Sequence, residues 1–167
     1  MQQLRHSVGL WDVTTTQYDD KGGVARVGSG TYRFDWVVPD RVLTGRADMP
    51  EWKQSAGMLF YVNPERSTIE MTSVGPDGEL VVMTGPAGGE TRTTAPADFA
   101  DGGRLQLRFT RFNVSPDGFE SRIEASIDGG ASWRPDSHQL FRRAAAGRAD
   151  TGARLRYRKP QNYVPLT

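Results

Sequence analysis

Four turn signatures divide this chain into short runs of alternating residues: Asn63-Pro64-Glu65-Arg66, Gly75-Pro76-Asp77-Gly78, Ser115-Pro116-Asp117-Gly118 and Asp128-Gly129-Gly130. Gly, Asn and Asp tolerate positive φ and Pro presets φ for a turn, so each signature reads as a hairpin connection. Between them lie segments of period two. The clearest is Thr31–Val38, where Tyr32, Phe34, Trp36 and Val38 alternate with Thr31, Arg33 and Asp35. Leu105, Leu107 and Phe109 share one face of Arg104–Asn113, and Phe119, Ile123, Ala125 and Ile127 one face of Phe119–Ile127.

Further strands are expected over Gly9–Tyr18, Arg41–Ala47, Gly57–Val62, Thr68–Val74, Glu79–Gly85, Thr91–Ala95 and Gln139–Arg143. Met49-Pro50-Glu51-Trp52-Lys53 is an irregular connection, and the N-terminus is expected to run straight into the first strand. Many short strands at regular spacing predict an all-β fold, a single antiparallel up-and-down barrel of about 8–10 strands. It occupies residues 1–143 and is followed by a basic tail, 144–167, in which Arg148, Arg154, Arg156, Arg158 and Lys159 are opposed only by Asp150.

Composition narrows the function. The 167 residues form one domain, and a net charge of +1 does not provide the basic field that nucleic acid requires. With no cysteine, disulfides, thiolate catalysis and Cys-ligated clusters are excluded. No apolar leader and no run of about 20 apolar residues is present, so a cytoplasmic protein without membrane contact is expected. Met58–Val62 and Leu80–Met83 are apolar on both faces, which points to a covered outer surface and a homodimer.

Gly9-Leu10-Trp11 resembles the Gly-x-Trp signature of the calycin superfamily, the lipocalins and fatty-acid-binding proteins. With the late Asp-Gly-Gly-x-x-Trp hairpin and the aromatic-Arg ending, residues 7 to 143 are similar to a bacterial lipocalin-like domain-of-unknown-function family. The resemblance implies a barrel with an internal cavity and an Arg, either Arg142 or Arg143, stacked on Trp11. It implies no reaction. Ser126–Trp133 resembles the Asp-box of sialidase propellers, but one copy in a chain this short makes Asp128 a turn cap rather than a catalytic acid.

The expected function is the binding of a small hydrophobic or amphipathic ligand inside the barrel, with no cofactor. Trp11, Tyr32, Phe34, Trp36, Phe60, Phe109 and Phe119 are the candidate lining. Arg46 and Tyr61 would orient a polar group, and Trp52 would sit at the mouth as a lid. An enzyme of cyclase, isomerase or decarboxylase type is the alternative. It would use a carboxylate such as Asp35 or Glu70, should the register turn one inward and burial raise its pKa. Haem ligation by His138 and a purely structural dimeric barrel complete the set. No Gly-x-Ser-x-Gly elbow or catalytic triad appears, and Gly85–Gly89 lacks the Lys-Ser/Thr of a phosphate loop.

Overall fold

The computed structural model describes residues 2–98 and 102–145; the basic tail, apart from its first two residues, lies outside them. The fold is all-β and antiparallel apart from one short helix. The elements are α1 (Gln2–Ser7), β1 (Gly9–Tyr18), β2 (Val24–Val38), β3 (Val42–Met49), a 3-10 turn (Pro50–Trp52), β4 (Gln54–Asn63), β5 (Thr68–Val74), β6 (Leu80–Pro86), β7 (Thr91–Thr94), β8 (Ala97–Asp98), β9 (Arg104–Ser115), β10 (Gly118–Ser126) and β11 (Arg134–Arg143). Neighbouring strands pair in the order β10-β11-β1-β2-β3-β4-β5-β6-β7-β9, and β9 pairs again with β10, which closes a ten-strand barrel. The two-residue β8 hangs on β9 outside that ring. Closure leaves the barrel no free edge strand.

The turn chemistry works as the sequence predicts. Asn63 Oδ1 accepts the Glu65 and Arg66 amides, both at 3.1 Å, and Gly78 takes φ 80° at the end of its turn. Asp19 Oδ1 holds the Lys21 and Gly23 amides at 2.9 and 2.8 Å. In the Asp-box hairpin, Asp128 accepts from the Ser132 amide and hydroxyl and from the Ser126 hydroxyl. Those hydrogen bonds hold the Asp128 carboxyl well below the usual range, so it is a cap and not an acid.

Several elements depart from the sequence reading: β11 begins at Arg134 rather than Gln139, β4 at Gln54 rather than Gly57, and the two-residue β8 is additional. β2 begins at Val24, seven residues before the expected Thr31, because Gly28 and Gly30 interrupt the apolar alternation that marks a strand. Those glycines make room for neighbours. A Cβ on Gly28 would lie 2.5 Å from the Trp52 ring, and one on Gly30 would lie 2.2 Å from the Asp48 carbonyl oxygen. The N-terminus is a helix, not an approach to β1. A six-residue segment has little intrinsic helical stability, so tertiary contacts must hold it.

Those contacts reach around one barrel rim. Arg5 pairs with Asp40 in the β2–β3 turn at 2.6 Å, Gln3 Nε2 donates to the Ala87 carbonyl, and His6 Nε2 lies 2.7 Å from the Ser115 carbonyl oxygen. Arg143 on β11 donates to the His6 and Val8 carbonyls, both at 3.0 Å, and its guanidinium lies 4.1 Å from the centre of the Trp11 ring. Trp11, fully buried, donates from Nε1 to the Ser7 carbonyl at the end of the helix. Gly9 turns the chain from helix to strand at φ 117°, where a Cβ would stand 3.0 Å from Arg143 Nη1. Arg143, not Arg142, is therefore the stacking partner.

Leu4, Trp11, Leu43, Val62, Ile69, Phe119 and Phe141 form the dense core beneath this plug. The strand faces are mostly as expected, with exceptions at strand ends. Val38 and Ile127 are exposed, because each stands where its strand leaves the barrel wall for a turn. Arg143 and Arg142 have the same charge on adjacent residues, so they separate the corner contact from net charge. Arg143→Ala is expected to lower stability by about 1–2 kcal/mol through lost cation–π and hydrogen-bond contacts. Arg142→Ala should change it by under about 0.5 kcal/mol, with urea unfolding as the measurement.

Candidate functional site

The inward residues of the strands leave two adjoining spaces in the lumen. The inner chamber, about 190 Å³, lies against the plug and is walled by Phe34, Phe60, Phe109, Phe119, Met58 and Met71, with Gln3 and Leu4 of α1 as its floor. The outer one, about 230 Å³, lies at the opposite end, beneath Trp52 and beside Thr15, Gln17, Gln54 and Pro76. Tyr32, Ala56, Ile123 and Gln139 line both.

A polar bridge divides the two spaces. Gln139 Nε2 donates to the Tyr32 hydroxyl at 2.8 Å and to Thr15 Oγ1 at 3.3 Å, while Gln139 Oε1 accepts from the Ser121 hydroxyl at 3.2 Å. Burial holds the Tyr32 phenol above its ordinary pKa, so it stays protonated across the neutral range. The bridge offers neutral donors and acceptors in the middle of the lumen. It has no ionised carboxylate.

Of the ten residues expected at the site, Tyr32, Phe34, Phe60, Phe109 and Phe119 line the inner chamber. Trp52 lies over the outer one, where Arg26 stacks on its ring at 4.0 Å. Trp11 and Trp36 pack in or against the core below and are not part of either wall. Arg46 and Tyr61 are on the outside. Arg46 faces solvent beside Asp48 at 2.8 Å, and Tyr61 is 42% exposed on the outer face of β4. The period of two puts Tyr61 outward because its neighbours Phe60 and Val62 are the buried pair.

The carboxylates considered for acid–base work are also outside. Asp35 is exposed and paired with Arg33 at 2.6 Å, and Glu70 stands opposite Tyr61 on the outer face. Neither lines either space. His138, the residue considered for haem, is between the inward Ser137 and Gln139 and so points out, 2.6 Å from Glu120 Oε2. Among the described residues no group of three or more His, Cys, Asp or Glu is placed to hold a metal ion. No helix among them is long and apolar enough to cross a membrane.

Sequence reasoning missed Arg92 and Arg111. Both are inward on β7 and β9, 3% and 5% exposed, and both line the inner chamber. Arg111 Nη1 donates to the Gln3 carbonyl at 3.1 Å, Nη2 meets His6 Nδ1, and the guanidinium lies 4.4 Å from the Phe119 ring centre. Arg92 lies 5.8 Å from the Phe109 ring centre. Burial pulls the Arg92 pKa down to about 10 and lowers that of Arg111 too. The signal was present in the strand pattern: Arg92 and Arg111 alternate in phase with inward Thr94 and Phe109.

His6 is the titrating group of the plug. Its Nδ1 accepts from Arg111 and its Nε2–H donates to the Ser115 carbonyl, which requires the neutral ring. Burial is the main cause of its lowered pKa, and the Arg111 and Arg143 charges add to it; the Ser115 carbonyl and Glu90 act the other way.

No family model and no curated protein matches the chain. Solved structures similar to it include a redesigned β-barrel at 14% identity and TM-score 0.44, over 85% of this chain and 95% of that one. The redesigned β-barrel mFAP1 bound to DFHBI matches at 14% identity and TM-score 0.43, over 84% and 97% of the two chains. EF1p2_mFAP2b, also bound to DFHBI, matches at 13% identity and TM-score 0.42, over 84% and 95%.

The lowered pKa of His6 sets a pH dependence of known sign. The unfolded chain binds a proton near the ordinary value of about 6.5 and the folded one only at lower pH, so stability is full above that value and falls with pH beneath it. Urea unfolding at about pH 7.5 and about pH 5.5 should show this loss, and His6→Asn should flatten the slope across that window.

Proposed function

We propose that this protein binds a small amphipathic molecule in its lumen, as a lipocalin-like carrier or sensor. The observation that carries the reading is the two-part space itself: aromatic and thioether walls, a polar bridge across the middle, one end plugged by α1 and the other beneath Trp52. Pockets of this kind gain affinity from apolar burial and orientation from a few fixed polar groups. The stack of Arg143 on Trp11 supports the calycin reading, since the Gly-x-Trp resemblance implies that contact.

Ala56 lines both spaces, so a larger side chain there fills the lumen. Thermal shift and Trp fluorescence with a panel of small apolar and amphipathic compounds should show ligands that stabilise the wild type by mass action. Ala56→Phe should abolish those shifts while keeping the fold. Equal shifts in both proteins, or none in either, would overturn the lumen as the binding site.

The homodimer belongs to the same proposal. Leu59, Tyr61, Val74, Leu80 and Val82 are 41–61% exposed and adjacent on the outer faces of β4, β5 and β6, which supports a second copy of the chain as the partner that covers them. Light scattering should give twice the chain mass, and Leu59→Glu with Val82→Glu should return it to one.

A further inference from the structure

The inner wall where β7 meets β9 carries more positive charge than the described residues neutralise. Arg92 lies opposite Phe109, and the Arg111 amide donates to the Glu90 carbonyl, so the two arginines are diagonal neighbours on one face. Arginine is seldom this buried unless it is paired. Among the described residues the only acidic side chain near the two is Glu90, whose Oε2 is 3.6 Å from Arg111 Nη1, outside hydrogen-bond distance, and whose side chain is 41% exposed. Two guanidiniums against one carboxylate leave one positive charge over.

Unmet hydrogen-bonding capacity gathers at the same corner. Five buried side-chain polar atoms among the described residues have no hydrogen-bond partner, and Gln3 Oε1, Glu90 Oε2, Arg92 Nε and Arg111 Nε are four of them. Gln3, Arg92 and Arg111 all line the inner chamber. Arg111 is occupied by the Gln3 carbonyl and His6, whereas among the described residues Arg92 lies by the face of Phe109 and its Nε has no hydrogen-bond partner. A buried donor without an acceptor is destabilising, and more so when charged, so this corner is built at the expense of stability.

We propose that Arg92, with Arg111 beside it, binds the carboxylate head of a small amphipathic monoanion whose apolar tail lies against Phe34, Phe60 and Met71. This rests on the lumen being a ligand site, as argued above. A planar guanidinium matches a carboxylate in a two-point contact, and the single surplus charge suits a monoanion rather than a doubly charged phosphate ester. The apolar walls and the small volume of the chamber limit the tail to a short chain or a single ring.

Isothermal titration of the full chain with octanoate and with 1-octanol tests this, because the two share a tail and differ in the head. Octanoate is expected to bind at least about tenfold more tightly than the alcohol. Arg92→Met should remove that preference, leave 1-octanol affinity within about threefold, and match or exceed the wild-type Tm when unliganded, since an uncompensated charge is gone. Arg92→Gln serves the same comparison should the methionine variant fail to fold. Octanol binding as tightly as octanoate, or a preference that survives in a folded Arg92 variant, would overturn the anion site and leave the lumen reading intact. Binding of neither compound would overturn both.

Discussion

The corner formed by Gly9, Trp11 and Arg143 is the contact on which the rest of the molecule depends. A closed barrel satisfies its backbone along the strands but leaves two open ends, and an apolar lumen open at both would fill with water. Here a six-residue helix closes one end. Because so short a helix cannot stand alone, its last turn is held by the Trp11 indole and its last carbonyls by Arg143, a cation at a helix C-terminus. Gly9 is required at that point because the chain must turn at positive φ while a guanidinium lies against it. The plug in turn provides Gln3 and Leu4 as the floor of the chamber.

That arrangement links the plug to the site through one residue. Arg111 donates to the Gln3 carbonyl, meets His6, lies over Phe119 and still lines the inner chamber. A group that bound Arg111 from the lumen would act on the same guanidinium that holds the helix. Protonating His6 would place a second cation against it. The buried charge is thus part of how the end of the barrel is held shut, which gives a structural reason for keeping an arginine where an apolar residue would pack more cheaply.

Much of the barrel was legible because its signals are local. β1 and β5 were read to the residue, and the turns were read from residue types that act within four positions. The aromatic residues Tyr32, Phe34, Phe60, Phe109 and Phe119 were readable as inward from alternation alone. What was lost depends on distant partners. The first half of β2 contains Gly28 and Gly30, which read as breaks until Trp52 and Asp48 are seen to need the space. α1 has no amphipathic stripe of its own. The chemistry of Tyr61 and Arg46 suits a ligand's polar group, but the strand phase puts both outside. Arg92 and Arg111 are hard to read for the opposite reason: a charged residue in a strand ordinarily faces water, although their alternation puts them inside.

The two kinds of polar group in the lumen carry different information about it. The Tyr32–Gln139–Ser121–Thr15 bridge is neutral and internally satisfied, so it costs little and fixes the wall in one arrangement. The Arg92 corner is charged and unsatisfied, and packing alone does not require it, because Phe109 and Phe119 already fill the neighbouring wall. A fold under selection only for stability would replace Arg92 with an aliphatic residue of similar length. The Arg92 guanidinium, set among the largely apolar walls of the inner chamber, is the observation on which the proposal of an anionic ligand rests.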